Sequence, residues 1–153
     1  MKLISACLLG VNCKYNGKNN DNPDLRKRLE DENVILICPE QLGGLPSPRL
    51  PSEIVQGDGG DVLEGKSVVL SKSGQDLSSY FIKGAQAALR IAQEQKPDLV
   101  ILKSRSPSCG VGWIYDGSFA SHLRPGNGVA AEVLSRAGYK IISDEDYLGG
   151  GGS

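Results

Sequence analysis

Short apolar runs recur along this chain and are separated by polar or amphipathic stretches. Residues 2–9, 33–40 and 98–103 are the clearest runs, and each suits a strand that is buried on both faces of a sheet. Residues 139–143 form a fourth such strand after the last predicted helix. Strands that alternate with helices predict a parallel α/β sheet with right-handed crossovers.

Three of the intervening stretches carry helical signals. Residues 22–32 begin with Asn22 as a cap before a proline, which predicts a short surface helix. Residues 76–96 repeat apolar side chains every three or four positions after Asp76, a capping residue, and predict the longest helix. Residues 126–138 predict a last helix that ends in a glycine.

Residues 41–65 are rich in glycine and proline, so we expect irregular backbone there and then a hairpin strand at residues 66–71. Residues 60–67 match the phosphate-loop pattern G-x-x-x-x-G-K-S. A phosphate loop follows a strand and opens a helix. Here a strand follows, and Asp61 and Glu64 would put negative charge beside the phosphates. We therefore predict a hairpin turn and no nucleotide site.

These elements fit one domain. A chain of 153 residues can bury a single core. We expect an α/β fold with a Rossmann-like parallel sheet, helices on both faces and a small hairpin insertion. The predicted domain spans residues 1–148, and residues 149–153, with the sequence GGGGS, resemble an expression linker.

Charge and hydropathy narrow the classes of partner. The chain has 17 basic and 18 acidic residues and a net charge of −1, which gives no basic field for nucleic acid or anionic lipid. It shows no leader pattern and no apolar run of membrane-spanning length, so we expect a cytoplasmic protein with no membrane partner. Thiols stay reduced in that compartment, which favours packing, metal binding or catalysis over disulfides for the four cysteines.

The cysteines lie where the predicted sheet would bring them together. Cys7 and Cys38 end the first two strands, and Cys109 follows the third. Carboxyl ends of parallel strands share one edge, where ligands bind. For any one cysteine, packing in the core is as good an explanation as a functional role. The placement of three cysteines at one edge, and the polar loops around Cys109 and Cys13, favour a metal site.

The spacing bears on the kind of metal. Zinc sites usually contain a closely spaced cysteine pair, whereas the two closest cysteines here, Cys7 and Cys13, have five residues between them. An iron–sulfur cluster is larger, prefers thiolates and accepts ligands from distant loops. Three or four cysteines on separate loops therefore fit a cluster better than a single ion.

The sequence does not favour a cysteine nucleophile, a zinc deaminase site or an anion-binding arginine. His122 is the single histidine and has no evident orienting partner for a cysteine nucleophile. The segment around Cys109 lacks the H-x-E and P-C-x-x-C patterns of the zinc base deaminases. Arg49 is expected to form an ion pair with Glu53 in preference to binding an anionic ligand.

Polar residues beside the cysteines supply candidate chemistry. Glu40 follows the second predicted strand and is either a general acid/base or a solvated loop residue. Ser106 and Ser108 flank a proline next to Cys109, where their hydroxyls either bind a ligand or cap a turn. Gly110 leaves room for a ligand to approach the backbone.

Five motifs occur in the order found in a known bacterial family. SACLLGVNCKYNG, CPEQLGGLPSPRLPSEI, FIKGAQ, LKSRSPSCG and IYDGSF together resemble the small family, formerly a domain of unknown function, that includes the thiouracil desulfurases. The resemblance runs from about residue 2 to residue 144, which is nearly the whole chain.

This resemblance implies an enzyme that removes sulfur from a thiolated base such as thiouracil and releases uracil and hydrosulfide. It also implies a [4Fe–4S] cluster held by Cys7, Cys38 and Cys109, with the fourth iron open to the sulfur of the substrate. Cys13 is then a neighbour of the cluster or an additional ligand.

By the same resemblance, Glu40 and Ser106 fall on catalytic positions, and we expect Ser108 and Gly110 to contact the substrate. The reaction would be a non-redox hydrolysis in which Glu40 deprotonates the water. Two alternatives stay open. One is a non-catalytic iron–sulfur or zinc protein for redox sensing or sulfur handling that uses all four cysteines. The other is an α/β domain with packed thiols that binds a partner.

Overall fold

The structure is a computed structural model of the chain and describes residues 1–149. Its strands, in chain order, are β1 (Lys2–Ser5), β2 (Val34–Ile37), β3 (Ser52–Val55), β4 (Val68–Ser71), β5 (Leu99–Leu102), β6 (Trp113–Tyr115), β7 (Leu123–Pro125) and β8 (Ile141–Ser143). Four of them form a parallel sheet in the order β2-β1-β5-β8, whereas β3 with β4 and β6 with β7 form two separate antiparallel pairs. The expected α/β fold with a central parallel sheet is confirmed.

Six α-helices and one short 3₁₀ helix connect the strands within residues 1–149. They are the 3₁₀ helix Ala6–Leu9, α1 (Pro23–Arg28), α2 (Pro39–Leu42), α3 (Gly59–Leu63), α4 (Ser78–Gln95), α5 (Val129–Arg136) and α6 (Asp144–Leu148). The side chain of Asn22 accepts a hydrogen bond from the Leu25 amide, and that of Asp76 accepts one from the Ser78 amide. Asn22 is therefore the cap of α1, as predicted, whereas the prediction for Asp76 is wrong by one residue, because Leu77 holds the cap position of α4 and Asp76 precedes it.

Successive side chains of the central strands point to opposite faces of the sheet. Leu3, Val100 and Leu102 pack on one face with residues of α4 and α5. Ile4 and Ile101 pack on the other face with residues of α1 and α6. The sheet is therefore covered by helices on both faces, as predicted.

The first two predicted strands are shorter than expected. β1 ends at Ser5 because its partner β2 ends at Ile37, opposite it in the register. Pro39 has no N–H for a strand ladder and instead opens α2 at its first turn. Residues 6–9 then have no neighbouring strand, and they form a buried 3₁₀ turn that ends at Gly10, with φ of 91°.

The prediction of irregular backbone over residues 41–65 is wrong in part. The segment contains β3 and α3, which pack with β4 and α4 in a separate apolar cluster. Residues 60–67 do not form the predicted hairpin turn, because α3 joins β3 to β4, with Asp58 and Asp61 making a capping box at its start. A helix that precedes a strand reverses the order of a phosphate loop, so the rejection of a nucleotide site stands.

Helices α2 and α4 cross closely, and this crossing fixes the position of α2. A Cβ atom added at Gly84 would overlap the carbonyl oxygen of Pro39, and one added at Gly43 would overlap that of Tyr80. Glycine at both positions therefore lets the two backbones touch. The contact holds the first turn of α2, which carries Glu40, against the long helix.

Besides the 3₁₀ helix, α2, β3 and α3, three further elements were not predicted. They are the two strands of the β6–β7 hairpin and the short helix α6, which begins with Ser143 as a side-chain cap. No helix within residues 1–149 combines the length and apolar character needed to cross a membrane. The single domain over residues 1–148 and the linker over residues 149–153 stay predictions, since residues 150–153 lie outside the described part of the chain.

Candidate functional site

A cavity of about 420 Å³ opens at the carboxyl end of the central sheet. Its walls come from the segments that follow β1, β2 and β5, and from loops that lie farther along the chain. The residues in its lining that can bind metals or move protons include Cys7, Cys13, Cys38, Cys109, Glu40, Glu53, Arg49, Lys103, Ser106 and Ser108. The structure therefore brings all but one of the predicted site residues to one cavity.

Each cysteine reaches the cavity because the chain turns just after a strand. Cys7 lies in the 3₁₀ helix after β1, and Cys38 is the extended residue that precedes α2. Cys109 lies in the loop after β5, and Cys13 follows the turn at Gly10. All four are free thiols, and three are buried while Cys38 is half-buried.

The thiol of Cys13 interacts with those of Cys7 and Cys38. Its hydrogen bond, with further help from Asn20 and Lys103, lowers the pKa of Cys7 to about 7. Its hydrogen bond to Cys38 lowers the pKa of that thiol as well. The pKa of Cys13 itself is raised by the same two hydrogen bonds, so Cys13 keeps its proton as the donor. Cys7 and Cys38 are thereby favoured as thiolates, the form that binds metals.

Cys109 lies in a different environment from the other three. Burial raises the pKa of its thiol to about 12, although hydrogen bonds with Ser5 and Ser108 oppose the shift. The Ser108 hydroxyl lies 3.7 Å from the sulfur. Cys109 is therefore a neutral thiol, and metal binding there would release its proton.

Glu40 is held at both carboxylate oxygens. Oε1 accepts hydrogen bonds of 3.1 and 2.9 Å from Nε and Nη2 of Arg49, and Oε2 accepts one of 2.8 Å from the Ser108 hydroxyl. The side chains of Arg49 and Glu40 are only 9% and 14% exposed. Glu40 is therefore a fixed group in the cavity wall and not a solvated loop residue.

The predicted ion pair between Arg49 and Glu53 is wrong. Arg49 pairs with Glu40 and also donates a 3.0 Å hydrogen bond to the Cys13 carbonyl. Glu53 instead accepts hydrogen bonds from the backbone amides of Gly117 and Phe119. The reason is the direction of the chain, because Arg49 precedes β3 and faces α2 while Glu53 lies within β3 and faces the 115–121 loop.

The two serines beside Cys109 have different partners. Ser106 Oγ accepts a 2.7 Å hydrogen bond from the Cys109 amide, so Ser106 fixes the loop that carries the thiol. Ser108 donates to Glu40, and the two serine hydroxyls lie 3.5 Å apart. The turn-capping interpretation is therefore correct for Ser106, and ligand binding by the two serines, which both line the cavity, stays a prediction.

Gly110 is the predicted residue that the structure does not bring to the cavity. It is buried, and a Cβ there would lie 2.7 Å from the Ile114 side chain and 2.8 Å from the Ser106 carbonyl oxygen. Its role is therefore close packing behind the loop. His122, which we set aside, is exposed and lies outside the cavity lining.

Sequence reasoning missed two polar residues of the site. Lys103 directly follows β5 and lowers the pKa of Cys7 by its charge, and the rule that ligands bind at strand ends would have found it. Asn20 donates a 3.5 Å hydrogen bond to the Cys7 sulfur. Its loop returns to the 3₁₀ helix by a backbone hydrogen bond to Cys7, a contact that no local pattern reports.

The donors do not surround a single point. Within residues 1–149, no three histidine, cysteine, aspartate or glutamate side chains are grouped so that they could hold one metal ion. A structural zinc ion needs about four ligands in a tight tetrahedron. The described residues therefore form no ready-made tetrahedral site for a single zinc ion.

The chain is similar to proteins of one family over nearly its whole length. The family model described as 2-thiouracil desulfurase matches residues 3–146. Among curated proteins, the uncharacterized protein YbbK of Bacillus subtilis (strain 168) is 42% identical over 146 residues, which are 95% of this chain and 97% of that protein.

A solved structure has the same architecture. It is described as the [4Fe-4S]-dependent thiouracil desulfidase TudS, and it superposes with a TM-score of 0.82 at 34% sequence identity. The match covers 96% of this chain and 92% of that one. Fold and family therefore agree, and the residues that the family model matches include every segment that lines the cavity.

Proposed function

The chain belongs to the 2-thiouracil desulfurase family, and on this premise we propose that it removes sulfur from a thiolated nucleobase such as 2-thiouracil. The oxygen of water replaces the sulfur at carbon, so 2-thiouracil and water give uracil and hydrogen sulfide without net oxidation or reduction. The observation that carries the proposal is one cavity in which four thiols lie beside a carboxylate held by an arginine.

A [4Fe–4S] cluster, the group in the name of the similar solved structure, fits the donors of this cavity. Cys7, Cys38 and Cys109 approach from three different strand ends, and soft thiolates are the ligands that such clusters prefer. When bound through three cysteines, the cluster supplies an open iron that acts as a Lewis acid on the C=S bond.

Glu40 is the proposed general base. A general base must hold a carboxylate within hydrogen-bond reach of the water that it activates. Arg49 and Ser108 fix the carboxylate of Glu40 in the cavity wall. Glu40 would accept a proton from the attacking water and pass it to the departing sulfur. The hydroxyl group added at carbon gives its remaining proton to the same sulfur as the C=O bond of uracil forms, so the sulfur leaves as hydrogen sulfide.

Ser106 is the second proposed catalytic residue. Its oxygen accepts a hydrogen bond from the Cys109 amide, and its hydroxyl proton has only the long 3.5 Å contact with Ser108, which a ligand in the cavity could replace. Ser108 already donates its proton to Glu40 and therefore acts on the orientation of the base. We propose that Ser106 donates a hydrogen bond to the substrate while Ser108 holds Glu40 in place.

The proposal is tested by anaerobic purification, quantification of iron and sulfide, and an assay with 2-thiouracil. We expect about four iron and four sulfide per chain and conversion of 2-thiouracil to uracil with release of sulfide. Protein that stays colourless and iron-free after anaerobic reconstitution would exclude the cluster. Protein that contains the cluster but does not convert 2-thiouracil would exclude this compound as the substrate, while the proposal of a cluster would stand.

The contacts of Cys13 with Cys7 and Cys38 favour one second function. In this alternative all four cysteines bind a metal centre, and the protein senses redox state or handles sulfur without catalysis. The two functions differ in what happens to the metal when Cys13 is replaced.

We further infer a cytoplasmic enzyme that acts on a small molecule, with neither nucleic acid nor membrane as partner. A near-zero net charge of −1 gives little attraction to polyanions. Four free thiols in one cavity suit a reducing compartment. Fractionation of cells and a binding assay with labelled oligonucleotides test both parts.

A further inference from the structure

The loop from Tyr115 to Ser121 has no role in the proposed reaction. It connects β6 to β7 and contains most of the motif IYDGSF at residues 114–119. Tyr115, Phe119 and Ser121 nevertheless line the same cavity as the cysteines and Glu40. The loop therefore forms part of the wall that a bound substrate would touch.

A buried acidic side chain holds this loop in place. Glu53 in β3 is 9% exposed, and its Oε1 accepts hydrogen bonds of 2.9 Å from the Gly117 amide and 3.2 Å from the Phe119 amide. Bonds from backbone amides to a carboxylate are stronger than those between neutral groups. Asp116 closes the turn from inside the loop, because it accepts hydrogen bonds from the amide and hydroxyl of Ser118.

The loop backbone is held in a conformation that few side chains adopt. Gly117 has φ of 94°, and a Cβ there would lie 2.7 Å from the Ile54 carbonyl oxygen, so the loop packs directly on β3. Phe119 has φ of 57°, which is uncommon for a bulky residue. Such conformations persist where the surroundings over-determine them, often at ligand sites. Here the carboxyl group of Glu53 supplies that constraint.

Aromatic side chains are concentrated at this cavity. The chain has only eight phenylalanine, tyrosine and tryptophan residues, and three of them, Tyr15, Tyr115 and Phe119, line the cavity. Aromatic faces stack on nucleobases of any sequence because every base presents a flat π face. A wall with such faces favours a planar heterocycle over a saturated ring of similar size.

We propose that the loop from Tyr115 to Ser121 is the specificity wall of the site, with Phe119 stacking on a planar thiolated heterocycle and Glu53 as the residue that positions it. This inference rests on the proposed function for its substrate class. It adds that the site selects the substrate by the planarity of its ring, and that Glu53, which borders the cavity, acts on affinity by holding Phe119 in position.

The test compares Phe119→Leu with the wild type on 2-thiouracil and on its non-planar analogue, 2-thio-5,6-dihydrouracil. Leucine keeps the apolar volume and removes the π face. We expect KM for 2-thiouracil to rise about tenfold, the effect of losing one base–aromatic contact. We expect KM for the saturated analogue, kcat and the iron content to stay within about twofold. An unchanged ratio of the two KM values would overturn the inference.

Glu53 is tested by two variants. Glu53→Ala removes the acceptor of both amides and should raise KM for 2-thiouracil as Phe119→Leu does, and the double variant should be no worse than either single one. Glu53→Gln keeps an acceptor oxygen and should restore most of the affinity. Additive effects would show that Glu53 does not act through Phe119. Trp113→Leu is the matched control, since Trp113 is 54% exposed and lies outside the cavity lining, and its KM should match the wild type.

Failure of the proposed function is distinguishable from failure of this inference. If the wild type turns over neither thio-compound, calorimetric titration with uracil and 5,6-dihydrouracil still measures whether the site binds a planar ring more tightly than a saturated one. Tighter binding of uracil that Phe119→Leu abolishes would support the inference. Equal binding of the two compounds, or binding of neither, would refute it.

Discussion

Among single residues, Arg49 makes the most contacts with the proposed catalytic group. Arg49→Met would remove its bonds to Glu40 and to the Cys13 carbonyl and leave an almost buried carboxylate without its cation. Loss of one partner from a buried pair is strongly destabilising, so we expect the free energy of unfolding to fall by about 3 kcal/mol in urea denaturation. We expect kcat to fall by about tenfold or more, since the base would lose its orientation.

Arg136 supplies the control for Arg49. It pairs with Glu64 and Glu132 at the surface, with its side chain 48% exposed, and Arg136→Met should cost less than about 1 kcal/mol and leave kcat unchanged. Arg49→Lys should fall between Arg49→Met and the wild type, because lysine keeps the charge without the planar fork. If Arg49→Met and Arg136→Met changed the free energy of unfolding and kcat equally, the buried pair of Arg49 and Glu40 would contribute no more than a surface ion pair.

Cys13 separates the two functions considered for the site. If Cys7, Cys38 and Cys109 are the ligands, Cys13→Ser keeps a hydroxyl donor beside the first two and should retain nearly all the iron after anaerobic reconstitution. Cys38→Ser is the matched comparison and should lose the cluster, because a ligand is removed. Iron and sulfide analysis measures both, and iron loss in Cys13→Ser equal to that in Cys38→Ser would favour the four-cysteine centre.

The positions of the site residues were more predictable than their partners. Cys7, Cys38 and Glu40 could be placed because the ends of parallel strands meet at one edge whatever the loops do. Arg49 was assigned to the wrong carboxylate because the order of charges along a chain carries no information about the direction of a loop. Its true partner depends on where α2 packs, which is a tertiary property.

At the scale of elements, the crossing of α2 and α4 controls where Glu40 lies. Gly84→Ala would gain up to about 1 kcal/mol of helix propensity, but the new methyl group overlaps the Pro39 carbonyl oxygen. Overpacking costs about 1–3 kcal/mol. The overlapping atom belongs to the backbone of α2, which can move away only if the helix shifts. We therefore expect a net loss of stability and a fall in kcat as α2 shifts, measured by thermal unfolding and turnover.

Gln86 gives a control on the same helix. It is exposed one half-turn further along α4, and Gln86→Ala should change stability by no more than about 0.5 kcal/mol and leave turnover unchanged. If Gly84→Ala were as active and as stable as Gln86→Ala, the crossing of α2 and α4 would accommodate a methyl group for which the structure shows no room.

Elements were predictable in proportion to their length and periodicity. α4 runs for 18 residues with a regular apolar face, so its pattern is unambiguous. α2, β3 and α3 have four or five residues each and lie among glycines and prolines. Such short elements owe their form to neighbours, as β3 does to β4 and α2 to α4, and a local pattern cannot report them.

For the whole molecule, we expect the fold to survive loss of the cluster. Three apolar clusters build the interior from the two faces of the sheet and the β3–β4 layer, and most of their members are aliphatic side chains away from the cavity. Anaerobic treatment with a chelator should leave the far-ultraviolet circular dichroism unchanged. The melting temperature should fall by several degrees, since a ligand that binds only the native state stabilises it.

A collapse of the helical signal on chelation would contradict that expectation. It would mean that the thiols, and not the apolar clusters, hold β1, β2 and β5 in register, as in domains that fold only with their metal. Thermal unfolding of Cys13→Ser with and without the chelator is the control for the loss of one buried thiol, since this variant is expected to keep its iron.

The strand order also dictates when the site can exist during biosynthesis. β5 is inserted beside β1, so the chain must be translated beyond Cys109 before the third sulfur can join the first two. A ribosome-bound fragment that stops before β5 carries two of the three proposed ligands, Cys7 and Cys38, and lacks the β5 neighbour of strand β1. The three proposed ligands can therefore meet only after β5 has paired with β1, so all three can bind one cluster only when the central sheet is assembled.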